Sequence, residues 1–94
     1  MKLRLEARVS SDSPDAVGRF LVGKFAARSV TRDGSYWIVR VEVESASACD
    51  ANRALLSELR RVERKTRLRA EWKAGGSVER FFDYVPKGTR LAGR

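Results

Sequence analysis

Six cations fall within ten residues at Arg60-Arg61-Val62-Glu63-Arg64-Lys65-Thr66-Arg67-Leu68-Arg69. Clustered guanidinium and ammonium groups concentrate phosphates and carboxylates around them, so the run points to an anionic partner. The whole chain shares this asymmetry. Residues 1–59 hold nine Lys/Arg and eight Asp/Glu, whereas residues 60–94 hold eleven and four. Most of the formal net charge of +8 therefore sits in the last third, where Lys73, Lys87, Arg90 and Arg94 extend the run. Contacts of this kind go mainly to phosphates, tolerate many nucleic-acid sequences and weaken steeply with salt.

Other chemistries are poorly supplied. The chain has no histidine, which removes imidazole bases, Ser-His and Cys-His nucleophile pairs and most zinc and haem sites. Its single cysteine, Cys49, cannot form an internal disulfide, which fits a reducing cytoplasm. Cys49 falls in the first turn of an expected helix, where a small buried hydrophobe is the simpler reading than a reactive thiol. Gly18-Arg19-Phe20-Leu21-Val22-Gly23-Lys24 has phosphate-loop spacing, but Phe25 stands where the magnesium-binding hydroxyl belongs. Glu6, Glu42, Glu44 and Glu71 invite comparison with a carboxylate cluster for a hard cation or acid-base work. Arg4, Arg8, Arg40 and Arg69 are as near in sequence, so ion pairing is expected instead. No catalytic residue, cofactor or metal is expected, and the chain reads as non-enzymatic.

The elements that must hold these groups follow from periodicity. Lys2 to Val9 alternates, with Leu3, Leu5, Ala7 and Val9 on one side, and predicts a half-buried strand. Ser13 and Pro14 open a helix carrying Val17, Phe20, Leu21 and Phe25 at helical spacing. Asp33-Gly34 predicts a two-residue hairpin turn that sets Thr31 opposite Tyr36 and Val30 opposite Trp37, with Arg28 on the core side opposite Val39. A second helix starts near Ser47 and runs through a buried stripe of Leu55, Leu59, Val62 and Thr66, with Leu56 beside it. Arg60, Arg61, Arg64 and Lys65 then occupy its outer arc. Arg67 to Lys73 and Val78 to Val85 predict two further strands around Ala74-Gly75-Gly76-Ser77. Pro86 to Arg94 reads as a basic tail.

Ninety-four residues make one domain, expected over 1–86 with a flexible tail over 87–94. No apolar run approaches the ~18 residues of a membrane span. Met1 to Glu6 alternates instead of forming an apolar stretch, so no signal peptide is expected. The order β-α-β-β-α-β-β predicts an α+β chain. Its first six elements match the split βαβ, or ferredoxin-like, two-layer sandwich. Right-handed crossovers place both helices on one face of an antiparallel sheet in the order 4-1-3-2, with the extra C-terminal strand beside strand four.

That arrangement leaves the other sheet face open. Its expected residues are Lys2, Arg4, Glu6, Arg8, Tyr36, Ile38, Arg40, Glu42, Glu44, Arg67, Arg69, Glu71 and Lys73, seven cations and four anions. RNA-recognition domains use such a face, stacking bases on exposed aromatics between flanking cations. Here Tyr36 is the stacking group with Ile38 beside it. Those domains carry aromatics at alternating exposed positions of the third strand, where Asp33 to Arg40 supplies only Tyr36, so the chain is not assigned to them. The expected nucleic-acid contacts are Tyr36, Arg40, Arg60, Arg61, Arg64, Lys65, Arg67, Arg69, Lys73, Lys87 and Arg90.

Two further readings compete. One is a protein-interaction module whose open face meets a second copy or an acidic protein. The other is a small dimeric α+β barrel enzyme with an apolar pocket lined by Trp37, Trp72 and Phe82.

Overall fold

The computed structural model describes residues 1–91. Six strands and two helices follow in the order β1 (Lys2–Ser10), α1 (Pro14–Phe25), β2 (Val30–Asp33), β3 (Tyr36–Glu44), α2 (Ala48–Val62), β4 (Arg67–Ala74), β5 (Ser77–Phe82) and β6 (Val85–Leu91). A short 3-10 turn over Ala27–Ser29 leads into β2. The strands form one open antiparallel sheet in the order β2-β3-β1-β4-β5-β6. The protein is thus an α+β chain with a six-strand sheet and two helices.

Alternation in β1 sends Leu3, Leu5, Ala7 and Val9 into the core. They meet Val39 of β3, Leu68, Ala70 and Trp72 of β4 and Phe81 of β5, together with Val17 and Leu21 of α1 and Leu55, Leu56 and Leu59 of α2. Each buried Val, Leu or Phe side chain among them contributes roughly 1.5–3 kcal/mol by leaving water. Because both helices pack on this side, the opposite face of the sheet carries the other half of the alternation.

The helices start as the sequence predicts. Pro14 occupies the first turn of α1, although Ser13 makes no side-chain cap. Ser47 caps α2 by accepting the Asp50 amide at 3.0 Å. The end of α2 differs from expectation. The helix stops at Val62, which is more than a third exposed, so Arg64 and Lys65 belong to the following turn and not to a helical arc. Thr66 is buried outside the helix, where its hydroxyl donates to the Glu63 carbonyl at 2.7 Å. Glu63 explains the stop. Its carboxylate accepts the Lys65 amide at 2.8 Å, which offers the chain a local alternative to another helical turn.

The first hairpin is slipped by two residues relative to expectation. Val30 pairs with Val39, Thr31 with Ile38 and Asp33 with Tyr36, so Gly34-Ser35 makes the turn. Gly34 has φ +60°, as a type II′ turn needs at its first position. The slip buries Val30 opposite Val39 and leaves Arg28 in the 3-10 turn, which removes the charge the predicted register placed in the core.

The C-terminal region also differs. The predicted strand Val78 to Val85 is two strands joined at Asp83-Tyr84, and Pro86 to Leu91 pairs with β5 where a tail was expected. Asp83 takes φ +56° at this turn. Three contacts hold it there. Its amide donates to the Leu68 carbonyl at 2.6 Å, its carboxylate accepts the Leu68 amide at 2.8 Å, and its carbonyl accepts from Asn52 Nδ2 at 2.8 Å. An Asp-Tyr pair carries no turn signal in sequence; tertiary bonds impose the turn. The tail residue Arg94 lies outside the described residues.

Candidate nucleic-acid interface

The register of the sheet arranges its open face in rows. One row runs Ile38, Arg8, Arg69, Phe82 and Val85 across β3, β1, β4, β5 and β6. The next runs Arg40, Glu6, Glu71 and Arg80. A third runs Glu42, Arg4, Lys73 and Val78, with Arg90 across from Val78 on β6. The first two rows line a shallow concavity of ≈ 380 Å³ in the middle of the face. Four arginines, Arg8, Arg40, Arg69 and Arg80, surround Glu6 and Glu71 there, over an apolar floor that includes Ile38 and Phe82.

Aromatic rings stand on both sides of the Arg8–Arg69 pair. The Arg8 guanidinium lies 6.0 Å from the centre of the Tyr36 ring. Phe82 is the more heavily covered ring, with Arg69 at 4.5 Å, Lys87 at 5.4 Å and Arg80 at 5.9 Å from its centre. Cations within about 6 Å of a ring face are drawn to its negative quadrupole.

A second basic site lies at the Arg67 end of β4. Arg60, Arg64, Lys65 and Arg67 border a groove of ≈ 480 Å³ together with Asp12 and Asp83. Glu63 organises this end. Besides the Lys65 amide it accepts the Ser11 hydroxyl at 3.3 Å and the Asp12 amide at 3.4 Å. The turn bearing Arg64 and Lys65 is therefore tied to the loop after β1. These donors, Lys65 foremost, hold the Glu63 carboxyl below its usual range.

The predicted residues divide between these places. Arg40 and Arg69 line the open-face concavity, Arg67 links it along β4 to the end groove, and Arg64 and Lys65 border the groove. Tyr36 and Lys87 join through the ring contacts just described. Arg61 is exposed on the last turn of α2 and borders neither site. Arg60 is committed within the fold. Its Nε donates to the Thr66 carbonyl at 3.2 Å, its Nη2 lies 3.6 Å from Asp83, and its guanidinium covers Tyr84 at 5.2 Å. Lys73 is bonded to Glu6 at 2.8 Å. That bond, with Arg40 and Arg4 nearby, holds the Glu6 carboxyl below its ordinary range against the opposing cost of burial.

The remaining expectations can be placed as well. Glu6 and Glu71 sit directly opposite across β1 and β4, and each has a cation, Lys73 or Arg80. Among the described residues no cluster of His, Cys, Asp or Glu is arranged to hold a metal. Gly18 to Lys24 lies within α1 and forms no loop. Cys49 is exposed, contrary to the expected burial. Trp37, Trp72 and Phe82 do not share a cavity. Trp72 is buried with its Nε1 donating to Asn52 at 3.1 Å, Trp37 donates to the Pro14 carbonyl at 2.9 Å, and Phe82 lies on the far side of the sheet.

Arg8 was expected on the open face but not among the contacts, and the site gains two side chains that were expected in neither, Arg80 and Phe82. A signal for the last two existed. A two-residue turn at Gly75-Gly76 pairs Ala74 with Ser77, which sets Phe81 beside Ala70 in the core and Phe82 beside Arg69 outside. The adjacent phenylalanines hid this because a hydrophobic pair has no alternation of its own.

No family model matches the chain, and no match to it was found among curated proteins or solved structures.

Proposed function

We propose that this protein is a small non-enzymatic binding module whose basic surface contacts nucleic-acid phosphates. The observation that carries the reading is the gathering of Arg8, Arg40, Arg69 and Arg80 around one open-face concavity, with Lys87 over its Phe82 floor. The ion pairs among the described residues use Lys24, Arg32, Arg60, Lys73, Arg80 and the N-terminal amine. None of these pairs takes up Arg8, Arg67 or Arg69, and Arg40 acts on Glu6 without forming one of them, which supports a contact between this cluster and an outside anion. Arg64 and Lys65 continue the same field at the end groove.

The ferredoxin-like plan belongs to this reading. From β4 the sheet order runs β4-β1-β3-β2, followed on the other side by β5 and β6. This order supports a two-layer sandwich with one face left for a ligand. A plan of this kind hosts many activities, so the charge and not the topology supports the assignment.

The test is a titration of the purified protein against labelled nucleic acid at 50 and 200 mM salt, with Arg64→Glu, Arg67→Glu and Arg69→Glu combined as the comparison. Arg60 is left alone because it supports the β5–β6 turn. The reading requires binding at low salt, a marked loss at high salt, and loss of binding in a variant whose melting temperature is kept. Undetectable low-salt binding, or affinity indifferent to salt, ends it.

A further inference from the structure

The open-face concavity is not uniformly basic, and its mixed lining constrains the ligand. Glu6 and Glu71 face each other at its centre, whereas Arg8 and Arg69 form the neighbouring row between Ile38 and Phe82, with Tyr36 two residues further along β3. Phosphates laid across the middle of this face meet two carboxylates. Base edges laid there meet acceptors suited to amino groups, since an ionised carboxylate accepts hydrogen bonds and donates none.

We propose that the concavity takes a single-stranded nucleic acid with its bases turned inward, and favours bases bearing an exocyclic amine over uracil. The inference rests on the nucleic-acid reading above and names its ligand more closely. A duplex hides its base faces and presents phosphates outward, so it offers nothing to the rings. A single strand exposes faces that stack on aromatic side chains. Three strand spacings and an offset of two residues separate Tyr36 on β3 from Phe82 on β5, a span of about 16 Å. A few extended nucleotides cover that distance, with intervening phosphates within reach of Arg8 and Arg69. Cytosine presents an N4 amino group to a carboxylate, whereas uracil turns a carbonyl oxygen toward it at the same position.

Fluorescence anisotropy with three labelled probes tests the proposal: a cytidine hexamer, a uridine hexamer and a mixed-sequence RNA duplex. The cytidine hexamer is expected to bind several-fold tighter than the uridine hexamer and at least about tenfold tighter than the duplex. Phe82→Ala, checked for an unchanged melting temperature, should weaken hexamer binding about tenfold by loss of one stacking surface and leave duplex binding unaltered. Glu71→Gln should remove the difference between cytidine and uridine, because an amide can serve either base. Equal affinity for the two hexamers, or a duplex bound as tightly as they are, overturns this proposal and leaves the broader reading standing. Failure of all three probes to bind at low salt overturns both.

Discussion

Gly18 lies so close to the Trp37 indole that a Cβ built on it would stand 2.3 Å from Cζ2. The glycine is the space that lets α1 settle on β3 and brings Trp37 Nε1 to the Pro14 carbonyl. Helix propensity alone favours alanine at this position, but the contact reverses the sign. Gly18→Ala should destabilise the protein by about 1–3 kcal/mol through overpacking. Gly23, in the same helix, has nothing within 4 Å of its would-be Cβ, so Gly23→Ala should stabilise by about 0.5–1 kcal/mol. Urea unfolding of the two variants checks both signs.

Asn52 is a buried bridge between the core and the last hairpin. It accepts from Trp72 Nε1 and donates to the Asp83 carbonyl. Asn52→Leu would strand both partners, at about 1–3 kcal/mol each for an unsatisfied buried group. The loss should appear in chemical denaturation and as faster amide exchange along β5 and β6.

Asp83 should show a graded series. Asp83→Asn keeps an acceptor for the Leu68 amide and a side chain that tolerates positive φ. It should cost less than Asp83→Ala, which loses the acceptor and strains the backbone by about 1 kcal/mol or more. Equal thermal stability of the two variants would contradict this account of the turn.

Acid should weaken the fold through Glu6 and Glu63. Both carboxyls titrate below their ordinary value of about 4.5 in the folded chain. A group with a depressed folded-state value stabilises above its unfolded value and loses that contribution as pH falls through the folded value. Stability should therefore be level near neutrality in respect of these groups and decline below about pH 4.5. Melting curves between pH 6 and 3 should fall less steeply for Glu63→Gln than for the native chain, because the variant has already lost the ionised acceptor.

Cys49 is exposed at the start of α2, with Arg53 Nη2 3.9 Å from its sulfur. The native protein should consume one equivalent of a thiol reagent without denaturant. Protection until unfolding would place the side chain in the core instead.

The proposed interface also carries a quantitative salt dependence. If about five phosphates of a single strand are engaged, affinity should fall about a hundredfold between 50 and 200 mM salt. Removing Arg69 should reduce the slope as well as the affinity, and a slope unchanged by that removal would exclude Arg69 from phosphate contact.

Local pattern alone determined much of this protein. Alternation of Leu3, Leu5, Ala7 and Val9 sets the core face of β1, and Leu68, Ala70 and Trp72 do the same for β4, because a strand's period of two forces its side chains to opposite faces. The Ser47 cap and a proline at the first helical position, Pro14, likewise mark where the two helices begin. The basic excess of the last third was also legible, since charge is a property of composition.

Tertiary structure decided the rest, where the determining partner is distant in sequence. The first hairpin takes the register that buries Val30 against Val39, not the one its Asp-Gly pair suggests. The turn at Asp83 exists because Leu68 and Asn52 hold it. Glu63 ends α2 and binds the loop at Ser11, fifty-two residues away. Phe82 reaches the open face only because pairing across Gly75-Gly76 commits Phe81 to the core. A run of cations in sequence likewise does not reveal which are already engaged. Arg60 is spent on the fold, whereas Arg8, far outside the run, joins Arg69 on the open sheet.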